Sequence, residues 1–216
     1  MQRGTNMPVE LSHRSGINEA SEADNDAALV LSSQKGDIAA FESLVVRHQK
    51  RMLNVAFRLL GDYDEACEVV QDAFVSAYKN IRAFRGDSKF TTWLTTITLN
   101  LSKNRLKQMK LRQGHVSYSL DDPLWTDDSE LTRDPPSQEP SALDCLEKKD
   151  VQVKVQDCIK ALEPEYREVI VLRDMQDFSY DDIGGMLNMR EGTVKSRLFR
   201  ARTAVKDCLK KAMGEL

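Results

Sequence analysis

The sequence holds little of what builds a metal site or a disulfide framework. Its four cysteines, Cys67, Cys145, Cys158 and Cys208, include no C-x-x-C pair, and its three histidines, His13, His48 and His115, lie far apart. Such scatter carries neither a zinc signature nor the regular spacing of a stapled domain, and no metal or cofactor is expected. Cys158 and Cys208 both fall on apolar helical stripes, which reads as two small hydrophobes facing a core. Long apolar runs are missing as well. The longest, Ala27 to Leu31, has five residues, too few for a membrane span or a signal-peptide core, so a cytoplasmic chain with no membrane insertion of its own is expected. No convincing strand alternation occurs. No nucleophile, base and orienting group can be assembled, so nothing supports an enzyme.

What is present is charge, unevenly placed. The chain is 41% apolar and 30% charged, with a net charge of −3 over 216 residues, the balance of a globular protein with room for two small cores. Gln113 to Glu147 holds nine acidic residues and one basic one. On either side the sign reverses: Lys79 to Arg112 has nine basic residues to one acidic, and Met189 to Met213 eight to two. Two basic segments around an acidic one suggest two sites for a polyanion, joined by something that is not one.

The apolar periodicity is helical throughout. Ile38 to Leu60 repeats Phe41, Leu44, Val45, His48, Met52, Val55 and Leu59 at helical spacing, and Asp62 to Ile81 repeats Ala66, Val69, Val70, Ala73, Phe74 and Ala77. Gly61-Asp62 reads as a stop followed by a cap, and Arg85-Gly86-Asp87-Ser88 as a loop. A further helix from about Thr91 to Leu111 would face the core with Phe90, Leu94, Ile97 and Leu101. The spacing thus predicts an all-α chain: a tail over 1–24, a helical domain over 25–112, a linker over 113–147 and a second helical domain over 148–216. The linker's four prolines and many carboxylates cannot offset its ordering entropy, and its 35 residues could span about 115 Å.

In the second domain, Ser179-Tyr-Asp-Asp182 reads as a capping box opening a short helix. Asn188-Met-Arg190 then turns, and Glu191 or Gly192 begins a long basic helix. Two helices joined by a short turn, the second cationic, match a helix-turn-helix. In GTVKSRLFRAR, Phe199 falls in the middle of the face formed by Lys195, Ser196, Arg200, Thr203 and Lys206. There it could meet a thymine methyl or sugar edge in a major groove, or pack against another domain or a partner. Gly184-Gly185 costs roughly 2 kcal/mol relative to alanines, which a close helix crossing could explain.

Together these residues resemble the extracytoplasmic-function sigma factors of bacterial RNA polymerase. The resemblance rests on KGDIAAFESLVVRHQ, DEACEVVQDAFVSAYKNIRAFRGDSKFTTWL, LEPEYREVIVLRD and GTVKSRLFRAR, which lie in order through both helical domains. It implies a sigma-2-like helical bundle and a sigma-4-like helix-turn-helix domain joined by a flexible acidic linker. It implies as partners core RNA polymerase, promoter DNA in duplex and single-stranded non-template form, and an anti-sigma factor. By the same resemblance Glu68, Gln71 and Asp72 would dock on polymerase. The loop of Phe84, Arg85, Gly86, Asp87, Ser88 and Phe90 would form a pocket for the melted −10 strand. Trp93, Asn100, Lys103, Asn104 and Lys107 would continue that site along the next helix, although Trp93 alone also suits a core position. The −35 duplex would be read by Lys195, Ser196, Phe199 and Arg200, with Thr193, Arg197 and Arg202 toward phosphates. Many relatives carry Arg where this chain has Lys195, and Lys lacks the planar fork that grips guanine. The linker resembles the segment that threads the polymerase interior, while a plain tether fits its composition equally. The alternative is a free-standing helix-turn-helix regulator that binds duplex DNA unaided, for which no ligand pocket or heptad repeat speaks.

Overall fold

A computed structural model of the chain describes residues 26–115 and 142–214, with 113–115 and 142–149 described in backbone only. The expected tail over 1–24 and most of the expected linker lie outside the described residues. All described regular structure is helical. Helix α1 covers 26–34, followed by α2 (Ile38–Leu60), α3 (Tyr63–Asn80), a 3-10 turn (Ile81–Ala83) and α4 (Phe90–His115). After the linker come α5 (Ala142–Lys160), α6 (Pro164–Ile170) with a π-helical continuation (Val171–Met175), α7 (Tyr180–Leu187) and α8 (Glu191–Met213). Residues expected at both ends of the linker, 113–115 and 142–147, are therefore helical.

The first bundle forms where the periodicity places it. Asp37 caps α2 by accepting from the Ala40 amide at 3.2 Å, and Gly61 ends it in the left-handed region at φ 72°. Asp62 then caps α3 through the Glu65 amide at 2.9 Å, so the chain reverses within two residues. Leu44, Met52, Ala56, Val69, Phe74 and Leu94 meet in the core between α2, α3 and α4. Helix α1 is tied on by a buried carboxylate: Asp26 accepts from Arg47 at 2.5 Å and lies 2.8 Å from His48 Nε2. Burial alone would raise the Asp26 pKa. The hydrogen bonds and charges of His48 and Arg47 outweigh it and hold the carboxyl below its usual range.

Helix α4 is buried on more than the face its apolar residues mark. Thr95, Thr98 and Ser102 are fully buried, and their hydroxyls donate to the carbonyls of Thr91, Leu94 and Thr98 at 2.7, 3.0 and 2.8 Å. Satisfied this way, a hydroxyl can line a helix contact without an orphan donor. Leu99, on another side of α4, packs with residues of the second domain.

The C-terminal domain surrounds Ile159, Val169, Leu172, Ile183, Val194, Leu198 and Ala201. Its helices hold one departure from the sequence reading. Cys158 and Cys208 are joined in a disulfide between α5 and α8, with Cα atoms 5.7 Å apart. Each was expected only to fill an apolar stripe. The two stripes face one another across the packed pair of helices, and a separation of 50 residues leaves no local trace of the meeting. Ser179 caps α7, accepting from the Asp182 amide at 3.1 Å while its hydroxyl donates to the Asp182 carboxylate at 2.5 Å. Asn188, left-handed at φ 51°, makes the turn. A Cβ on Gly184 would stand 2.9 Å from the Met189 carbonyl oxygen, so the glycine there is sterically required. No contact explains Gly185.

The two domains are not separate globules. Val55 and Leu59 of α2 join Leu99 in the C-terminal core. The buried Arg167 guanidinium donates to the Leu59 carbonyl at 2.6 Å, to Leu162 at 3.0 Å and to Lys160. Burial pushes its pKa down, yet an arginine stays charged, and this one is matched to three carbonyls at the close of α2 and α5.

Candidate nucleic-acid interface

Two cationic surfaces emerge, built differently. In the first, the 3-10 turn carries the chain out of α3 into an exposed loop that returns at Phe90. Gly86 is left-handed at φ 79° with open space around it, a conformation glycine adopts at no steric cost. Phe84, Phe90 and Trp93 cluster beneath the loop: Phe84 lies 4.9 Å from the Trp93 ring and 6.1 Å from Phe90, and Phe90 lies 5.8 Å from Trp93. Trp93 is thus half-buried, both wall and surface. Gln34 of α1, absent from the sequence reading, donates to the carbonyls of Ile81 and Phe84 at 2.9 and 2.7 Å and fixes the loop's approach. A cleft of about 510 Å³ opens here, lined by Phe84, Arg85, Gly86, Ser88 and Phe90, by α1, and by Gln176, Asp177 and Phe178 of the second domain.

The remaining predicted residues of this site spread along α4. Asn100, Asn104 and Lys107 are exposed along one flank, clear of the cleft. Asp87 is exposed beside Arg85, their charged groups 3.9 Å apart. Lys103 departs from the flank's pattern: its ammonium pairs with Glu168 of α6 at 3.0 Å. On α3, Glu68, Gln71 and Asp72 share a solvent face with Val75. Of these, Glu68 receives Arg105 of α4 at 2.5 Å, and Arg105 also reaches Glu65 at 3.0 Å.

The second surface is one face of α8. Val194, Leu198 and Ala201 are buried, which turns Thr193, Lys195, Ser196, Phe199, Arg200 and Arg202 outward, with Arg197 half-buried at the margin. Phe199 is 73% exposed, so the reading in which it packs against another part of this chain does not hold among the described residues. The cations are held from the side. Lys195 pairs with Glu191 at 2.7 Å and lies over the Tyr180 ring at 5.3 Å; the bond to Glu191 holds its pKa above the usual range. Arg197 meets Glu165 at 2.6 Å. Arg202 makes a two-armed pair with Asp174 at 2.8 and 2.5 Å, and Arg200 approaches the Tyr166 hydroxyl at 3.5 Å. Ser196 donates its hydroxyl hydrogen to the Thr193 carbonyl at 3.0 Å. Glu165, Asp174 and Tyr180 escaped the sequence reading because they lie outside the helix they organise.

Both helical domains have counterparts among known proteins. Residues 44–112 match the family described as Sigma-70 region 2, and residues 152–205 match Sigma-70, region 4. The RNA polymerase sigma-H factor of Pseudomonas aeruginosa is 33% identical over 192 residues, covering 89% of this chain and 97% of that one. The ECF RNA polymerase sigma-E factor of Escherichia coli is 35% identical over 185 residues, covering 86% and 94%. Among solved structures, the sigma factor RpoE of Bartonella quintana, determined with the anti-sigma factor NepR, superposes with a TM-score of 0.57 at 23% identity, covering 79% of this chain and 96% of that one, a likeness of fold. This two-module chain belongs to the extracytoplasmic-function sigma factors of RNA polymerase.

Proposed function

We propose that this sigma factor docks on core RNA polymerase and reads its promoters with the two surfaces in different ways. The 25–112 domain captures separated bases of the −10 element. Phe84, Phe90 and Trp93 offer ring faces for stacking, Arg85, Gly86, Asp87 and Ser88 shape the loop, and Asn100 and Asn104 bond base edges while Lys103 and Lys107 hold the strand. The 148–216 domain reads the −35 duplex with Lys195, Ser196, Phe199 and Arg200, and grips its phosphates with Thr193, Arg197 and Arg202. Glu68, Gln71 and Asp72 supply the polymerase-docking face. An anti-sigma factor, as in the Bartonella quintana complex, is a further partner. The factor acts in the cytoplasm and contributes recognition, not catalysis.

The exposed ring of Phe199, standing among hydrogen-bonding and cationic side chains on an otherwise buried-stripe helix, carries this reading. Run-off transcription with core polymerase on genomic fragments tests it. Defined start sites are expected with polymerase, and feeble DNA binding without it. Phe199→Ala and Arg200→Ala should weaken use of the upstream element, and Asn100→Ala use of the downstream one; unchanged promoter choice in all three removes the assignments. A tight footprint on a palindromic duplex without polymerase would establish the free-standing regulator instead.

A further inference from the structure

Of the four cationic side chains of α8 assigned to the −35 duplex, three already have a carboxylate. Lys195 meets Glu191 at 2.7 Å, Arg197 meets Glu165 at 2.6 Å, and Arg202 meets Asp174 through two nitrogens at 2.8 and 2.5 Å. The acids come from three places. Glu191 opens α8 itself, Glu165 lies in the first turn of α6, and Asp174 belongs to its π-helical continuation, so the pattern is not the periodicity of one helix. Arg200 differs, for its partner is the neutral hydroxyl of Tyr166 at 3.5 Å. The carboxylates stand at the surface, with the side chains of Glu191, Glu165 and Asp174 56%, 44% and 30% exposed. Pairs this exposed hold weakly, and a phosphate can take the carboxylate's place.

That exchange costs what an unpaired cation would not meet. A free cation that settles on a phosphate releases a counterion from the DNA, and this release drives binding to duplex of any sequence. A paired cation leaves a bare carboxylate beside the phosphate, which repels it and takes up a counterion in its turn. Gain and loss nearly cancel. Apolar and hydrogen-bonding contacts to base edges carry no such penalty. We infer that Glu165, Asp174 and Glu191 are specificity-determining residues: they cancel the pull of the reading face on arbitrary duplex, so that lasting contact needs the base edges that Ser196, Phe199 and Arg200 match. With α8 as the −35 face, a reading on which this inference rests, the three acids serve to reject wrong DNA as well as to hold side chains in place.

The full chain tests this, as Glu165→Gln/Asp174→Asn/Glu191→Gln against a labelled duplex of scrambled promoter sequence. Each freed cation adds ~0.9 to the slope of log affinity on log salt, so lowering salt from about 200 to 50 mM should strengthen the triple variant's binding by as much as about 40-fold more than the unmodified chain's. Asp150→Asn is the control, because Asp150 pairs with Lys154 within α5. It removes a negative charge without freeing a cation of α8, and should leave the slope unchanged. In holoenzyme the triple variant should lose about tenfold of its preference for a mapped promoter over one with a scrambled −35 element. Far-ultraviolet circular dichroism checks that the helices persist; should they be lost, Glu191→Gln alone takes the triple variant's place, with a gain of about 3.5-fold over the same salt range. A carboxylate variant no steeper in salt than Asp150→Asn overturns the inference, and so does an unchanged promoter preference. Phe199→Ala/Arg200→Ala in holoenzyme separates this failure from that of the underlying reading. If it abolishes preference for the −35 element while the carboxylate variants bind as the unmodified chain does, α8 remains the reader and only the role of the acids falls. If it leaves the preference intact, the −35 assignment is removed and the inference with it.

Discussion

The two proposed DNA-contact surfaces use aromatic residues in opposite ways. In the N-terminal module Phe84, Phe90 and Trp93 gather into one cluster whose members support each other. In the C-terminal module Phe199 stands by itself, 73% exposed. Bases taken out of a duplex need a platform or a pocket, and a platform must be held rigid by its own packing. A paired helix keeps its bases stacked, so a reader of its groove needs only a lone apolar group at the right place on a firmly seated helix. With the roles proposed for them, rigidity lies within the contact surface of the N-terminal module and beneath that of the C-terminal one.

The largest effect should come from the seat of α8. The Cys158–Cys208 bond closes a loop of 50 residues, for which the chain-entropy estimate is about 4 kcal/mol and ordinary experience ~2–4. Reduction, or Cys158→Ser, should lower the free energy of unfolding by that order in denaturant titrations, and should impair −35 use more than binding of a single strand. Equal damage to both would erase the contrast between the modules. A smaller effect sharpens it. Phe84→Ala should cost ~1.5–3 kcal/mol of stability because the ring is partly packed, while Phe199→Ala should stay within about 0.5 kcal/mol and still reduce upstream-element use roughly fivefold. Thermal melts of the two variants side by side decide the point.

The smallest effect concerns pH. The Asp26 carboxyl has a lower pKa folded than unfolded, so its contribution is present above the ordinary carboxylate value of 3.8 and is lost as pH falls below it. Denaturant midpoints taken downward from about pH 6 should therefore fall more steeply for the unmodified chain than for Asp26→Asn. Parallel curves would show that the α1 anchor does not depend on this charge.

Much of the fold was legible because it is written in local signals. Gly61 and Asp62 mark a turn by backbone preference and capping, and α8 is marked by its buried stripe of Val194, Leu198 and Ala201. The helix-turn-helix and the basic surfaces follow from those signals, and α8 exposes the residues its periodicity assigns. What stayed hidden is non-local. Thr95, Thr98 and Ser102 count as polar in any periodicity, yet their hydroxyls are satisfied within the helix and can be buried. Leu59 reads as a core residue of its own bundle and Leu99 lies off the stripe predicted for α4, yet both pack in the core of the other module. Lys103 reads as one more cation on a DNA-facing flank, and only the position of α6 shows that it has a carboxylate partner. The Cys158–Cys208 pair belongs to the same class, since each residue is explicable alone.

The hydroxyl of Ser196 gives its hydrogen to the Thr193 carbonyl, and that bond limits what the side chain can say to a base. With its hydrogen directed inward it offers outward only lone pairs. Phosphate oxygens and the N7 and O6 edge of guanine are acceptors and find no counterpart there, whereas the amino groups of adenine and cytosine do. As long as the helix keeps that internal bond, the centre of the proposed reading face favours a groove edge that donates.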